Sequence, residues 1–114
     1  MADGTLKRLA GPGYIAIAPA NIYTPPASTM EVIINQIHVV NTGTSTETFS
    51  LYVGATGASA GGTEIEKDYP VPSKKDWQRS FFPGIKMAST DFLTGSASAA
   101  STVTITVMGT IAVV

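Results

Sequence analysis

Apolar and polar residues alternate along much of this chain, most regularly between Thr102 and Val114. Val103, Ile105, Val107, Ile111 and Val113 fall on one face together with Gly109. Thr102, Thr104, Thr106 and Thr110 fall on the other with Met108, Ala112 and Val114. A period of two with β-branched residues on both faces marks a strand with one apolar and one wettable side. Unpaired chain ends fray, so a segment this apolar is expected to be paired into a sheet.

The same pattern recurs upstream. Tyr14 to Ala18 alternates as a short strand, and Pro19 to Thr29, with Pro19, Pro25 and Pro26, reads as an edge or loop passage. Met30 to Asn41 is the strongest central strand. Strict alternation puts Val32, Ile34 and Val40 on one face and Ile33, Ile37 and Val39 on the other, which implies burial from both sides or by a neighbouring subunit. The turn cluster Asn41-Thr42-Gly43-Thr44-Ser45 leads into a strand over Thr48 to Gly54, where Phe49, Leu51 and Val53 oppose Ser50 and Tyr52. This pair is predicted to be a hairpin.

Ala55 to Thr63 is a loop of small residues, and Glu64 to Asp68 is a short charged edge strand or turn. Tyr69-Pro70-Val71-Pro72 is extended because residues preceding proline avoid the helical region. Trp77 to Phe82 is another strand, turned by Pro83-Gly84 into Ile85 to Ala88. Asp91 to Thr94 precedes a second loop of small residues, Gly95 to Ser101.

No window holds apolar residues at helical spacing. About seven or eight short strands separated by turn signals predict an all-β fold, a single antiparallel β-sandwich of jelly-roll or immunoglobulin-like order, with a closed barrel as the alternative. Gly11-Pro12-Gly13 offers no continuation for a helix or a ladder. It is therefore predicted to separate a flexible N-terminal arm, residues 1–13, from a sandwich domain over 14–114.

Composition narrows the function. A length of 114 residues suits one domain with a real core, and without cysteine no thiolate chemistry or disulfide frame is available. A net charge of −1 provides no basic field for nucleic acid. No segment reaches the ~20 apolar residues of a membrane helix. Asp3, Lys7 and Arg8 interrupt the start with no long apolar run after them, so no signal peptide is expected and the protein is expected to be made in the cytoplasm of its host cell. Only 13% of residues are charged, against roughly 25% in ordinary domains. Either hydroxyls and amides solvate the surface, or neighbours in an assembly cover part of it.

Candidate chemistry is thin. His38 is the only histidine, mid-strand between Ile37 and Val39, and a structural role is preferred to a base or ligand. Glu64, Glu66 and Asp68 alternate and would line one strand face, which suits calcium or a carboxylate pair. Lys67 interrupts them, so a solvated edge that blocks aggregation is preferred. Gly57 to Gly62 lacks the lysine and helix of a phosphate loop. Trp77 with Tyr69, Phe81 and Phe82 could form a sugar platform, but core or interface roles are preferred because no adjacent polar groups are identifiable. Alternation puts Trp77, Arg79 and Phe81 opposite Gln78, Ser80 and Phe82. Trp77, Arg79 and Phe82 are the candidate interface residues, with Lys7 and Arg8 of the arm. No catalytic residue, metal or cofactor is expected, and the chain reads as a non-enzyme.

Taken in order, several segments resemble small virion proteins of tailed bacteriophages. They are Asn21-Ile22-Tyr23-Thr24-Pro25-Pro26-Ala27, Val32 to Thr42, Phe49-Ser50-Leu51-Tyr52-Val53, Ile85-Lys86-Met87, Asp91-Phe92-Leu93, and the late Val-Thr-Ile-Thr-Val strand with Gly109. The pattern runs from about residue 20 to the end. It departs at Ser89-Thr90-Asp91, where related patterns read Gly-Asp. The resemblance implies a β-sandwich that decorates the capsid surface of a virion as a cement protein. Its partners would be the major capsid protein and its own copies, as a homotrimer. A tail or head-fibre component is the alternative, and a carbohydrate-binding module a more distant one. The arm would grip neighbouring subunits.

Overall fold

The computed structural model describes residues 6–25, 30–54, 64–88 and 90–113. These form eight strands: β1 (Leu6–Tyr14), β2 (Ala20–Tyr23), β3 (Met30–Asn41), β4 (Glu47–Gly54), β5 (Glu64–Val71), β6 (Asp76–Met87), β7 (Phe92–Ala97) and β8 (Val103–Val113). One sheet has the order β1-β8-β3-β6 and the other β2-β7-β4-β5, with every pairing antiparallel. First pairs with last, second with seventh, third with sixth and fourth with fifth. The chain is thus one long hairpin folded into two sheets, the jelly-roll order of the two left open by the pattern.

The alternation of β8 holds: Val103, Ile105 and Val107 are buried and face the core. They meet Val32, Ile34, Ile37 and Val39 of β3 and, from the second sheet, Phe49, Leu51, Leu93 and Ala97. Full burial of each large aliphatic side chain contributes about 1.5–3 kcal/mol, so this shared interior dominates stability.

Strict alternation fails in β3. Ile34 and Ile37 lie on the same buried face because the register against β8 slips between Ile34 and Gln36, leaving Asn35 as the extra residue of a bulge. The opposite face therefore carries Ile33, Gln36, His38 and Val40, a more polar surface than the pattern predicts. The predicted hairpin of β3 and β4 is also corrected. β3 pairs with β6 and β8, whereas β4 pairs with β5 and β7, so the turn at 42–46 is a crossing between sheets.

Three further segments differ from expectation. Residues 6–14 are not a flexible arm but edge strand β1, which runs through Gly11-Pro12-Gly13 beside β8. An edge strand tolerates a proline because one of its sides needs no donor, and two register shifts absorb the misfit. Gly11 has φ 79° and lies so close to the Ile105 carbonyl that a Cβ would overlap it. The arm's residues 1–5 lie outside the described residues, as does the predicted loop at 55–63.

Tyr14 to Ala18 is no strand: Tyr14 ends β1, the Ile15 N–H donates to Val103 of one sheet, and the Ala16 carbonyl accepts from Ala97 of the other. The chain changes sheets there. In the second loop of small residues, Gly95 to Ala97 belongs to β7, where Gly95 leaves room for Ile22 and Leu51.

Crossings 42–46, 72–75 and 98–102 meet at one end of the sandwich, and fully buried Asn41 organises them. Its Nδ2 donates to the Val71 carbonyl (2.8 Å) and the Ser45 carbonyl (2.7 Å), while its Oδ1 accepts from the Gly43 N–H (2.8 Å). Its backbone N–H donates to Lys75 and its carbonyl accepts from Lys74. A buried polar group left without its partner costs about 1–3 kcal/mol. Asn41→Ala is thus expected to lower stability in urea unfolding by about 3 kcal/mol, whereas Ser45→Ala, which keeps its backbone acceptor, stays within about 0.5 kcal/mol. A cost for Asn41→Ala below about 1 kcal/mol would refute the role given to the amide.

Candidate functional site

β6 carries three of the predicted interface residues, and the structure separates them. Trp77 is only 7% exposed and packs edge-on against Phe49, centroids 5.1 Å apart, with Tyr69 at 6.2 Å. Its place in the core follows from the alternation that also turns Phe81 toward the interior. Arg79 lies over the Trp77 ring at 5.2 Å and donates to Glu66 Oε2 at 2.8 Å and the Ile65 carbonyl at 3.4 Å. That guanidinium joins β6 of one sheet to β5 of the other and laces one side of the sandwich. Trp77 is committed to the core and the half-exposed Arg79 to its pair with Glu66, so a sugar platform built on Trp77 is excluded by its burial.

Phe82 is different, with its side chain fully solvent-exposed at 102%. The register of β6 on β3 jumps from Ser80 opposite Gln36 to Ile85 opposite Ile34, so Phe81 to Gly84 forms a bulge that pushes Phe82 outward. The predicted turn at Pro83-Gly84 is therefore a bulge within one continuous strand. Gly84 lies against the Ile34 carbonyl and the Ile33 side chain with no space for a Cβ, which pins the bulge in place.

The three carboxylates of β5 do not share a face. Glu66 reaches Arg79 across the sheets, while Asp68, in a left-handed conformation with φ 47°, receives a hydrogen bond from Ser50 Oγ at 3.3 Å. Its backbone N–H donates back to the same oxygen at 2.9 Å. Register shifts against β4 on both sides of Glu66, one of them at the left-handed Asp68, break the alternation that would have aligned the acids. Between them, a hydrogen bond to the Tyr52 hydroxyl and then the Asp68 charge hold the exposed Lys67 ammonium above the usual lysine range.

His38 is half-exposed on the outer face, its Nε2 2.9 Å from Asp76 Oδ2. Among the described residues no three His, Asp or Glu side chains are placed to hold a metal. A hollow of about 210 Å³ lies between β4, β5 and β7, lined by Thr48, Ser50, Asp68, Ser96 and Ser98. The Ser50 hydroxyl is engaged with Asp68, and the Ser98 hydroxyl donates to Glu47 while accepting from the Thr48 N–H.

Lys7 and Arg8 are exposed on β1, the opposite edge of the first sheet from β6, level with Gly109 and Met108. Tyr14 (61% exposed) and Ile17 (58%) lie on that same side. Sequence reasoning missed both, and Glu66 as the partner of Arg79. Nothing local marks them, because only sheet order decides which strands end at an edge.

No family model matches this chain, and no curated protein matches it. A solved structure is similar: Bacillus endospore appendages, described as a novel family of disulfide-linked pili. It shares 18% identity with a TM-score of 0.54, over 100% of this chain and 92% of the other. At that identity the likeness is one of fold.

The contrast between the two β6 aromatics is measurable at concentrations where the chain is monomeric. Trp77→Ala is expected to cost about 3–5 kcal/mol of unfolding free energy, and Phe82→Ala is expected to stay within about 0.5 kcal/mol. Equal costs for the two would contradict their opposite placement.

Proposed function

We propose that this chain is a non-catalytic structural subunit of a repetitive assembly, and that the assembly is the virion of a tailed phage, where it decorates the capsid. The observation that carries the assembly reading is Phe82, a fully exposed aromatic held outward by a built bulge. A single exposed aromatic is ordinary on a protein surface, but one held outward by a bulge on a chain this poor in charge is a side chain a protein neighbour would cover. The phage setting rests on the sequence resemblance. A cement protein works through many equivalent, individually modest contacts, and a small rigid jelly roll suits that task.

A surface filament is the second reading, favoured by the likeness to the endospore appendage fold. Without cysteine, this chain would have to join its copies by means other than disulfides. The two readings part on where the protein is found. Decoration is expected to give a copy number in purified, tail-free heads comparable to that of the major capsid protein. A low count travelling with tails would move the chain to the tail, and absence from virions would refute the phage setting. Filaments formed by the purified protein alone, seen by electron microscopy, would support the second reading.

A further inference from the structure

We propose that the hollow on the outer face of the second sheet binds a single ring of a neutral sugar. This goes beyond the assembly reading and does not depend on which assembly the chain joins. The residues involved lie on β4, β5 and β7, whereas Phe82 projects from β6 of the first sheet.

The hollow is built by strand register. On β4 and β7 the side chains of Phe49, Leu51, Leu93 and Ala97 face the core. Thr48, Ser50, Ser96 and Ser98, which alternate with them, therefore face outward. Ser50 stands directly opposite Ser96, and the Ser98 N–H donates to the Thr48 carbonyl one step along. Four hydroxyl side chains thus form two adjacent cross-strand pairs, a grid with neighbours about 5 to 7 Å apart. A bulge in β5 raises a wall beside this grid. The pairing passes from Phe49 opposite Tyr69 to Leu51 opposite Glu66, so Lys67 and Asp68 together oppose Ser50. The Asp68 carboxylate is thereby set against Ser50, and the enclosed volume is about 210 Å³.

The lining selects the ligand. Phe49 and Ala97 complete it but turn their side chains to the core, so the walls offer hydrogen bonds and little apolar contact. The Asp68 carboxylate disfavours anions. It is also the only carboxylate of the lining, and a calcium ion takes six to eight oxygens, several of them charged. Ser50 and Ser98 each donate one hydrogen bond and accept one, which leaves each a single lone pair. Among the described residues the Thr48 and Ser96 hydroxyls have no partner, so each can both donate and accept. Asp68 Oδ2 faces Lys67 at a loose 3.9 Å. Two residues from Ser96 on the same face, Thr94 is 1% exposed and its Oγ1 is also unpartnered. Such a set is matched by a molecule with hydroxyls on adjacent carbons, which donate to the carboxylate and exchange bonds with the serines and threonine. The volume is below the roughly 300 Å³ of the smallest drug-sized pockets and suits one pyranose.

Two-dimensional NMR of the isotope-labelled protein, titrated in turn with glucose, galactose, mannose and N-acetylglucosamine to about 50 mM, tests this. At least one sugar is expected to give saturable amide shifts at Thr48 to Ser50, Asp68 and Ser96 to Ser98, with a Kd of about 1–10 mM. Asp68→Asn retains a residue type that tolerates the left-handed backbone and is expected to weaken binding about tenfold. Ser96→Ala is expected to weaken it about fivefold. Gln78→Ala, on the outer face of the first sheet, is expected to leave it unchanged. An unaltered spectrum away from the substituted residue confirms the fold of each variant. No saturable shift with any of the four sugars, shifts centred away from the hollow, or Asp68→Asn and Ser96→Ala binding as wild type does would each overturn the proposal. Saturation of the same amides by calcium chloride alone, with none by sugar, would also overturn it.

Discussion

Each time this chain passes from one sheet to the other it carries backbone polar groups through the edge of a dry core. At the most crowded crossing the Asn41 amide satisfies them. A side chain with two donors and an acceptor is what that position requires: the Val71 and Ser45 carbonyls need donors, and the Gly43 N–H needs an acceptor. Around it, Thr42 binds Thr102, Lys74 Nζ binds the Thr42 carbonyl and Ser73 binds the Gly43 carbonyl. Three crossings distant in sequence become one cross-tied end. Unpaired polar groups are costly in a low dielectric, so the network specifies the crossing geometry as well as stabilising it.

From that end the two sheets run parallel to the long axis, and their sides are finished differently. Arg79, held between Trp77 and Glu66, laces β6 to β5 and places a cation where it is stacked and paired. The pair is partly exposed, so its worth lies more in locating the side than in raw stability, at about 1 kcal/mol or less. At the other side β1 and β2 are joined by the crossing at Ile15 and Ala16, whose hydrogen bonds go to both sheets. Prolines and bulges on these outer strands keep their open backbone groups from templating a ladder with another chain. What remains for neighbours to read is side chains, and those differ from one side to the other in charge and apolar content.

Much of the candidate site was legible as residue types and little of it as geometry. Phe82, Lys7 and Arg8 stand at the surface, as an interface role requires. Trp77 and Arg79 have the chemistry of binding hot spots, yet Trp77 fills the core and the half-exposed Arg79 pairs with Glu66 when β5 lies across from β6. The bulge that exposes Phe82 has only Pro83-Gly84 as a local sign, which reads equally well as a turn. Asp68 would align with Glu64 and Glu66 in any regular strand, and register shifts against β4 on both sides of Glu66 part the three. These outcomes depend on which strands are neighbours.

By itself the sequence determined that this is an all-β chain with a central β3 and a one-faced β8, and that it contains no thiol chemistry. Those properties follow from residue period and type, which act over neighbours two apart on the same strand. Tertiary structure alone decided that first pairs with last in a jelly roll, that residues 6–14 form a strand through Gly-Pro-Gly, and that Asn35 is a bulge shifting the buried face of β3. Such features arise from hydrogen bonding and packing between segments far apart in the chain. A register slip of one residue turns every following side chain to the opposite face, and nothing local reveals where the slip occurs.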